Sequence, residues 1–274
     1  MPEPAVSAAS YAEDRALLVT AVEAAGAIAL ARHRGPVRRW EKSGGQGPVS
    51  DADLEVNAHL SEHLRTARPG YGWLSEEDPD DHARLAATRV FIIDPIDGTR
   101  AFLADDPGFS VVAAVVEAGR AVAGAVHLPA RGETYAAHLA GGATKTVGGA
   151  TAPVAADPGL GLAGGELLAS RAAMAPENWP RGVPAMRRVQ RPSLAWRLCL
   201  VADGRAAATL TIRPAWEWDI AAGALIAAEA GCIVTDHEGA ALVFNQVPPR
   251  LPGLIVAAPE LHAGLLALRC PPVD

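Results

Sequence analysis

Val90-Phe91-Ile92-Ile93-Asp94-Pro95-Ile96-Asp97-Gly98-Thr99 joins four consecutive apolar residues to a pair of aspartates. A short apolar run without polar interruption reads as a buried strand, and Asp-Pro at its end reads as the turn that stops it. Pro95 fixes its own φ, and Gly98 permits backbone geometry closed to other residues. Such a turn can aim both carboxylates, and the Ile96 carbonyl between them, at one point. Hard divalent cations take oxygen ligands of this kind. Asp-Pro or Asp-Gly alone is a common turn dipeptide. Both together, directly after a buried strand, favour a metal site.

Three further acidic stretches lie outward from this one. Upstream, Trp73-Leu74-Ser75-Glu76-Glu77-Asp78-Pro79-Asp80-Asp81 follows an apolar pair with an acidic run that by itself would read as a solvated loop. Further upstream, Pro48-Val49-Ser50-Asp51-Ala52-Asp53 sits at a helix start, where capping is the default role of the acids. Downstream, Glu217-Trp218-Asp219 precedes the apolar stretch Ile220–Ile226, with Asp219 placed as an N-cap whose outer oxygen can also reach a metal.

Taken together and in order, these segments are similar to the inositol-monophosphatase superfamily. The resemblance rests on Pro48–Asp53, Ser75-Glu76-Glu77, Asp94–Thr99 and Trp218-Asp219-Ile220-Ala221-Ala222-Gly223, with Glu229-Ala230-Gly231 and Leu261-His262 near the end. It spans roughly residues 10–268. It implies an α/β chain arranged as an alternating αβαβα sandwich. An α+β half (1–150) would carry most metal ligands, and an α/β half (151–274) would carry Asp219 and the substrate rim. Carried over residue by residue, Glu76, Asp94, Asp97, Asp219 and the Ile96 carbonyl are ligands for magnesium. Asp53 and Thr99, with Glu76, handle the attacking water. Asp97, Gly98, Thr99, Arg100, Ser193 and Asp219 face the substrate. Lithium sensitivity also follows from the resemblance.

Within the superfamily, Leu74-Ser75-Glu76-Glu77-Asp78-Pro79 and the basic Arg100 after Thr99 look more like the 3′(2′),5′-bisphosphate nucleotidases (CysQ-type) than the inositol enzymes. Ile212 stands where many inositol phosphatases place a glutamate seven residues before the Trp-Asp aspartate. The expected reaction is removal of the 3′-phosphate of 3′-phosphoadenosine 5′-phosphate. Inositol 1-phosphate and histidinol phosphate are the alternatives, and a non-catalytic binder of phosphorylated ligands is a third. The last should have lost at least one of the metal ligands or the Asp53–Thr99 pair, and all are present. Pro192 before Ser193, Cys232 after Gly231 and Ala101 after Arg100 depart from the common pattern.

The rest of the chain agrees with a globular enzyme. Half of its 274 residues are hydrophobic and 20% charged, enough for a sizeable core. The net charge of −7 excludes a general binder of nucleic-acid polymers, which needs a basic surface. The three cysteines, Cys199, Cys232 and Cys270, have no metal-knuckle spacing and predict a reduced, cytoplasmic setting. No membrane span or signal peptide is legible. The expected partner is a small phosphate ester, and a homodimer stays open. Periodicity predicts helices over 10–34 (capped by Ser10), 51–67, 193–203, 220–230 and 259–268. Strands are predicted over 90–93, 109–117, 121–127, 166–169, 206–212 and 232–235. Residues 42–50 read as irregular, and 140–165 as the patternless boundary.

Overall fold

In the computed structural model, which describes residues 4–42 and 47–269, the apolar run opens strand β4. Elements are numbered along the chain as α1 (Pro4–Arg32), β1 (Arg39–Glu41), β2 (Pro48–Ser50), α2 (Asp51–Ala67), β3 (Gly72–Ser75), β4 (Arg89–Asp97), α3 (Thr99–Leu103), β5 (Ser110–Glu117) and β6 (Arg120–Leu128). There follow β7 (Glu133–His138), β8 (Ala143–Val147), β9 (Ala150–Val154), β10 (Glu166–Leu168), β11 (Arg187–Val189), α4 (Leu194–Ala202), β12 (Ala208–Thr211) and β13 (Ala215–Trp216). The chain ends in α5 (Glu217–Glu229), β14 (Ile233–Thr235), β15 (Arg250–Leu251), β16 (Leu254–Ala257) and α6 (Pro259–Arg269).

Alternation along β4 and β5 builds the layers. Side chains of successive strand residues point to opposite faces. Phe91, Ile93, Val111, Ala113 and Val115 pack under α1 and α2. Val90, Ile92, Val112, Ala114 and Val116 pack on the other face, against α4 and α5. A strand apolar on both faces is what a sheet sandwiched between helices requires. The sheet has seven strands in the order β3-β4-β5-β6-β7-β8-β9; β3 and β4 are parallel and the rest antiparallel. A second, five-stranded sheet runs β11-β10-β12-β16-β14. Its Leu168, Leu254 and Val256 join the α4–α5 core, while Leu167, Leu210, Ile255 and Ala257 pack under α6 through Leu261 and Leu265. The layers are thus helix, sheet, helix, sheet, helix, the αβαβα sandwich expected.

Two close approaches need glycine. A Cβ on Gly124 of β6 would lie 2.9 Å from the Ala222 Cα, so β6 meets the backbone of α5. A Cβ on Gly223 would lie 2.6 Å from the Leu198 side chain, where α5 meets α4.

Several boundaries differ from the periodicity. α1 begins at Pro4, so Ser10 lies inside it, and its hydroxyl accepts from Arg89 Nη1 at 2.6 Å instead of capping. β2 forms within 42–50, paired with β1; residues 43–46 lie outside the described residues, as does Cys270. The stretch 140–165 holds the β8–β9 hairpin, so residue 150, the expected boundary, opens β9. The seven-stranded sheet closes at Val154 and the next strand starts at Glu166. Alanine and glycine leave no hydrophobic alternation to read, and the pairing of backbones makes this hairpin instead.

Candidate metal centre and active site

β4 does not stop at Asp94. Its pairing with β5 continues to Asp97 opposite Ser110, with the register shifting between Asp94 and Asp97. Pro95 has no N–H for the ladder, which is how a strand accommodates proline at a bulge. The Ile96 N–H turns inward and donates to Asp94 Oδ1 at 3.0 Å. Gly98, at φ 95°, then reverses the chain into the short helix α3.

This turn meets the end of β3 and the start of α5. Glu76, Asp94 and Asp219 each offer a carboxylate oxygen, all within 4.8 Å of one another. Asp94 is buried and the other two are half-buried. Burial raises the Asp94 carboxyl well above the usual range, and Glu76, Asp97 and Asp219 add repulsion. Asp219 is raised in the same way by burial, then by Asp97 and Glu76. Three oxygens this close, desolvated and mutually repelling, form a donor set suited to a hard cation, since a bound positive charge removes the penalty.

Asp219 lies in the first turn of α5, not at its cap. Trp216 is the N-cap, and its N–H returns to the Asp219 carboxylate. Asp53 uses the same local device at the start of α2. Its Oδ2 accepts from the N-cap Ser50, at 2.9 Å from the backbone N–H and 2.6 Å from the hydroxyl. That leaves Asp53 Oδ1 facing the Thr99 hydroxyl at 3.2 Å, while Thr99 Oγ1 also lies 3.1 Å from the Ile96 carbonyl oxygen. One hydroxyl hydrogen serves only one of these acceptors at a time. Burial raises the Asp53 carboxyl, against the pull of the Ser50 hydrogen bonds.

Asp97 stands apart from the tight trio. Its Oδ2 accepts from the Ser193 hydroxyl at 2.6 Å and from the Ala195 N–H at 2.8 Å, at the start of α4. Ser193, expected at the substrate rim, is fully buried. Its hydrogen goes to Asp97 and its oxygen accepts from the Trp196 N–H at 2.9 Å, so Ser110 must be the donor in the 2.9 Å contact between the two serines. Ser193 therefore holds Asp97 and caps α4.

The acidic run after β3 is a solvated loop only in its second half: Glu76, Glu77 and Asp78 are half-buried, and Asp80 and Asp81 are exposed. Glu76 joins the trio and Asp78 accepts from the Trp73 indole at 2.6 Å. Asp80 holds the buried Arg84, and Asp81 caps the following turn. Arg84 also donates to the Gln246 carbonyl at 2.8 Å and contacts the Asn245 side-chain oxygen. Glu217, completely buried, accepts from the N–H groups of Asn245 and Gln246 at 2.6 and 2.8 Å. Arg84 and Glu217 thereby tie the Glu76 loop to the start of α5.

Two cations escaped the sequence reading. Lys42 donates to Glu76 at 2.8 Å and Glu77 at 2.6 Å. Burial pulls its pKa down, but the two glutamates outweigh this and raise it. Glu77 itself is pushed up to about 7 by burial, against Lys42. Arg197 lines the same cleft; burial lowers its pKa and Asp97 and Asp219 partly oppose that. A lone arginine four residues after Ser193 in an apolar helix was the available signal for it. Lys42, beside a glycine-rich segment, gave none.

The cleft over these groups has a volume of about 430 Å³. Asp94, Asp97, Glu76 and Asp219 lie at its acidic pole, and Arg100 and Arg197 line it as well, with Pro192 and Trp216 at its wall. Ile212 packs with the α6 core instead of lining the cleft.

The sequence pattern of the inositol monophosphatase family matches residues 10–271. The 3′-phosphoadenosine 5′-phosphate phosphatase of Mycobacterium tuberculosis (strain CDC 1551 / Oshkosh) is 34% identical over 224 residues, covering 78% of this chain and 79% of that protein. The inositol-1-monophosphatase of Mesorhizobium japonicum is 35% identical over 249 residues, covering 82% and 86%. The crystal structure of extragenic suppressor protein suhB from Bartonella henselae superposes with a TM-score of 0.80 at 23% identity, covering 94% of this chain and 98% of that one. With the pattern matched over nearly its whole length, this chain belongs to the inositol monophosphatase family and is a phosphoric monoester hydrolase.

Proposed function

We propose that the chain is a magnesium-dependent phosphatase that removes the 3′-phosphate of 3′-phosphoadenosine 5′-phosphate by direct transfer to water. The observation that carries this reading is the pairing, in one cleft, of the Glu76–Asp94–Asp219 trio with two guanidinium groups, Arg100 and Arg197. The scissile phosphate belongs at the carboxylates, through the metal. A second phosphate on the same substrate belongs at the arginines, since charge-assisted guanidinium contacts are among the strongest hydrogen bonds. A monophosphate of inositol has no group for them, and with Ile212 turned into the core its hydroxyls find no carboxylate at that position. The relatives carry both names at nearly equal identity, so identity alone does not choose.

Glu76, Asp94, Asp219 and the Ile96 carbonyl would hold the magnesium, with Asp97 at the edge of the set. When bound, the metal acidifies water and offsets charge on the phosphate and leaving oxygens. Thr99 donates to Asp53, which frees the Thr99 oxygen to accept from the attacking water and aim its lone pair at phosphorus. The raised Asp53 carboxyl and Glu76 are placed to take the proton. The Gly98 and Thr99 N–H groups, at the start of α3, hold phosphate oxygens. Asp97 and Asp219, which line the cleft, would be the carboxylates nearest the substrate. The setting we assign is the cytoplasm, in keeping with Cys199 and Cys232, which are buried and free.

Phosphate release with magnesium tests the reading, comparing 3′-phosphoadenosine 5′-phosphate, inositol 1-phosphate and histidinol phosphate. The expected order puts the bisphosphate first in kcat/KM, and Arg100→Ala or Arg197→Ala should erase that lead. Preference for inositol 1-phosphate would remove the substrate assignment.

A further inference from the structure

Residues 190–192 form a wall shared by two cavities. Gln190 and Pro192 line the catalytic cleft and also a neighbouring cavity of about 610 Å³. The backbone of this wall is fixed from several directions. β11 ends at Val189, one residue before it. From α4, Arg197 donates through Nε to the Arg191 carbonyl at 2.6 Å and through Nη2 to the Pro192 carbonyl at 3.4 Å. Arg191 Nη1 donates to the Gln190 carbonyl at 3.0 Å. A Cβ on Gly108 would lie 2.6 Å from the Pro192 side chain, so the proline ring is seated against that glycine. A wall held in this way orders little more when a ligand arrives, which lowers the cost of binding.

The side chains of the cleft divide by what they can still bond. The carboxylates and Thr99 belong to metal and water, and Arg100 and Arg197 to phosphate. The Trp216 ring is taken up by the stacked Trp218 ring, 4.8 Å away, and by the Arg250 guanidinium, 4.6 Å from its centroid. Gln190 remains. It is exposed, and its carboxamide has no hydrogen-bond partner among the described residues. In the neighbouring cavity, Leu168, Leu200 and Ala206 supply apolar surface. The charged groups there are engaged. Asp106 accepts from the Gly108 N–H at 2.8 Å, and Glu166 is paired with Arg187. Arg131 and Arg205 are paired with Glu133 at 3.2 and 3.0 Å, and Arg191 lies over the Trp196 ring. Apolar surface beside one unused polar group is the composition of a site for a flat, weakly polar ligand with one hydrogen-bonding edge.

We propose that Gln190 reads the base of the leaving nucleoside, pairing with the 6-amino group of adenine and an adjacent ring nitrogen, with the base seated at the opening of the neighbouring cavity. This rests on the nucleotide reading above and adds to it the residue that selects the base. A carboxamide donates and accepts side by side, and an amino group next to a ring nitrogen is its complement. A purine without the amino group leaves the Gln190 side-chain oxygen unpaired. A site built to bond a group discriminates against analogues that lack it, because its own polar atoms then go unsatisfied.

The experiment compares adenosine 3′,5′-bisphosphate with purine riboside 3′,5′-bisphosphate, which keeps the ribose and both phosphates and lacks only the 6-amino group. In wild type the adenosine compound should have the higher kcat/KM. In Gln190→Leu the ratio of the two values should fall roughly tenfold, the scale of losing one bidentate base contact. Gln190→Glu keeps an acceptor for the amino group, so it should retain much of the ratio while lowering both rates, since a carboxylate there repels phosphates. Calorimetric titration in a chelator, with adenosine 5′-phosphate and purine riboside 5′-phosphate, reads the same preference without turnover, and Gln190→Leu should erase it. An unchanged preference in Gln190→Leu would overturn the proposal, as would equal losses on both compounds, which would make Gln190 a part of the wall only. If wild type prefers inositol 1-phosphate yet Gln190→Leu erases the preference in the titration, the nucleotidase reading fails and the base site stands. If the bisphosphate is the better substrate but neither measurement responds to Gln190, the base site fails and the reading stands.

Discussion

The Ser193 hydroxyl donates to Asp97 Oδ2 at 2.6 Å across the junction between the two sheets' halves of the chain. With the Ala195 N–H on the same oxygen, the start of α4 holds a carboxylate delivered by β4. The burial that raises the Asp97 carboxyl is offset first by Ser193 and then by Ala195. A hydrogen bond to a buried charge is worth roughly 1.5–3 kcal/mol, and loss of a serine cap adds about 1 kcal/mol. Ser193→Ala should therefore lower stability in urea by about 2 kcal/mol or more and weaken magnesium activation. Ser193→Thr should recover part of both. An unchanged unfolding midpoint would contradict the role given to this contact.

Asp94→Asn and Asp219→Asn should abolish phosphate release and yet raise the melting temperature of the metal-free protein. Each removes one charge from a buried, mutually repelling set. Loss of a ligand charge weakens magnesium binding, while loss of repulsion favours the folded chain. Scanning calorimetry in a chelator, beside an activity assay, separates the two effects. Lower melting temperatures for both variants would mean that the carboxylates are paired by something other than a cation.

Stability should depend on pH with opposite slopes in the absence and presence of metal. Glu77 moves from an ordinary value of 4.5 up to about 7 in the folded protein, and Asp94 and Asp219 are also raised by burial. Between pH 4.5 and 7 the folded chain then binds more protons than the unfolded chain, so this contribution is present below pH 4.5 and is lost as pH rises through 7. In a chelator the melting temperature should fall from pH 5 to pH 8. With saturating magnesium it should rise over the same interval, since ligands must deprotonate to bind metal. Parallel slopes with and without magnesium would be the contrary result.

Arg84 offers a purely structural prediction. It is fully buried, salt-bridged to Asp80 at 2.7 Å, and bonded to the Gln246 carbonyl at 2.8 Å. Arg84→Met keeps the apolar stem but takes the donor from the Gln246 carbonyl and the Asn245 side chain, while the exposed Asp80 stays hydrated. Losing hydrogen bonds from a charged group costs about 1.5–3 kcal/mol. Urea unfolding should show a loss of that order, and the KM for magnesium should rise because the Glu76 loop loses its tie to α5. A loss below about 1 kcal/mol would show that the network is dispensable.

Calcium should occupy the centre without supporting turnover, because it is larger and tolerates irregular geometry. Rates in calcium and magnesium buffers compare directly, and equal rates would remove the case for a tightly shaped site. Lithium should inhibit in the same assay, as the family resemblance implies.

Local chemistry made much of this protein legible. The apolar run 90–93 names a strand buried on both faces because no position in it can face water. The Asp94–Thr99 turn announces itself because proline and glycine restrict or release the backbone where two acids need aiming. Helices α2, α4, α5 and α6 appear near their predicted places, since periodicity and small caps are short-range signals. The missed hairpin at 143–154 is made by backbone pairing between residues with no hydrophobic alternation, and the start of α1 at Pro4 lies upstream of the serine that looked like its cap.

Only the tertiary structure decided which acids meet. Glu76, Asp94 and Asp219 lie up to 143 positions apart by residue number, and their approach to within 4.8 Å depends on β3, β4 and α5 converging across the sandwich. The same packing took Asp97 out of the tight trio by supplying two donors from α4, and buried Ser193 where the sequence placed a substrate contact. It also brought Lys42 to Glu76 and Arg250 onto Trp216, pairs separated by 34 positions each. Sequence fixes which groups carry charge and how stiff their local backbone is; distance between them is set by long-range packing, on which burial and every electrostatic shift at this site depend.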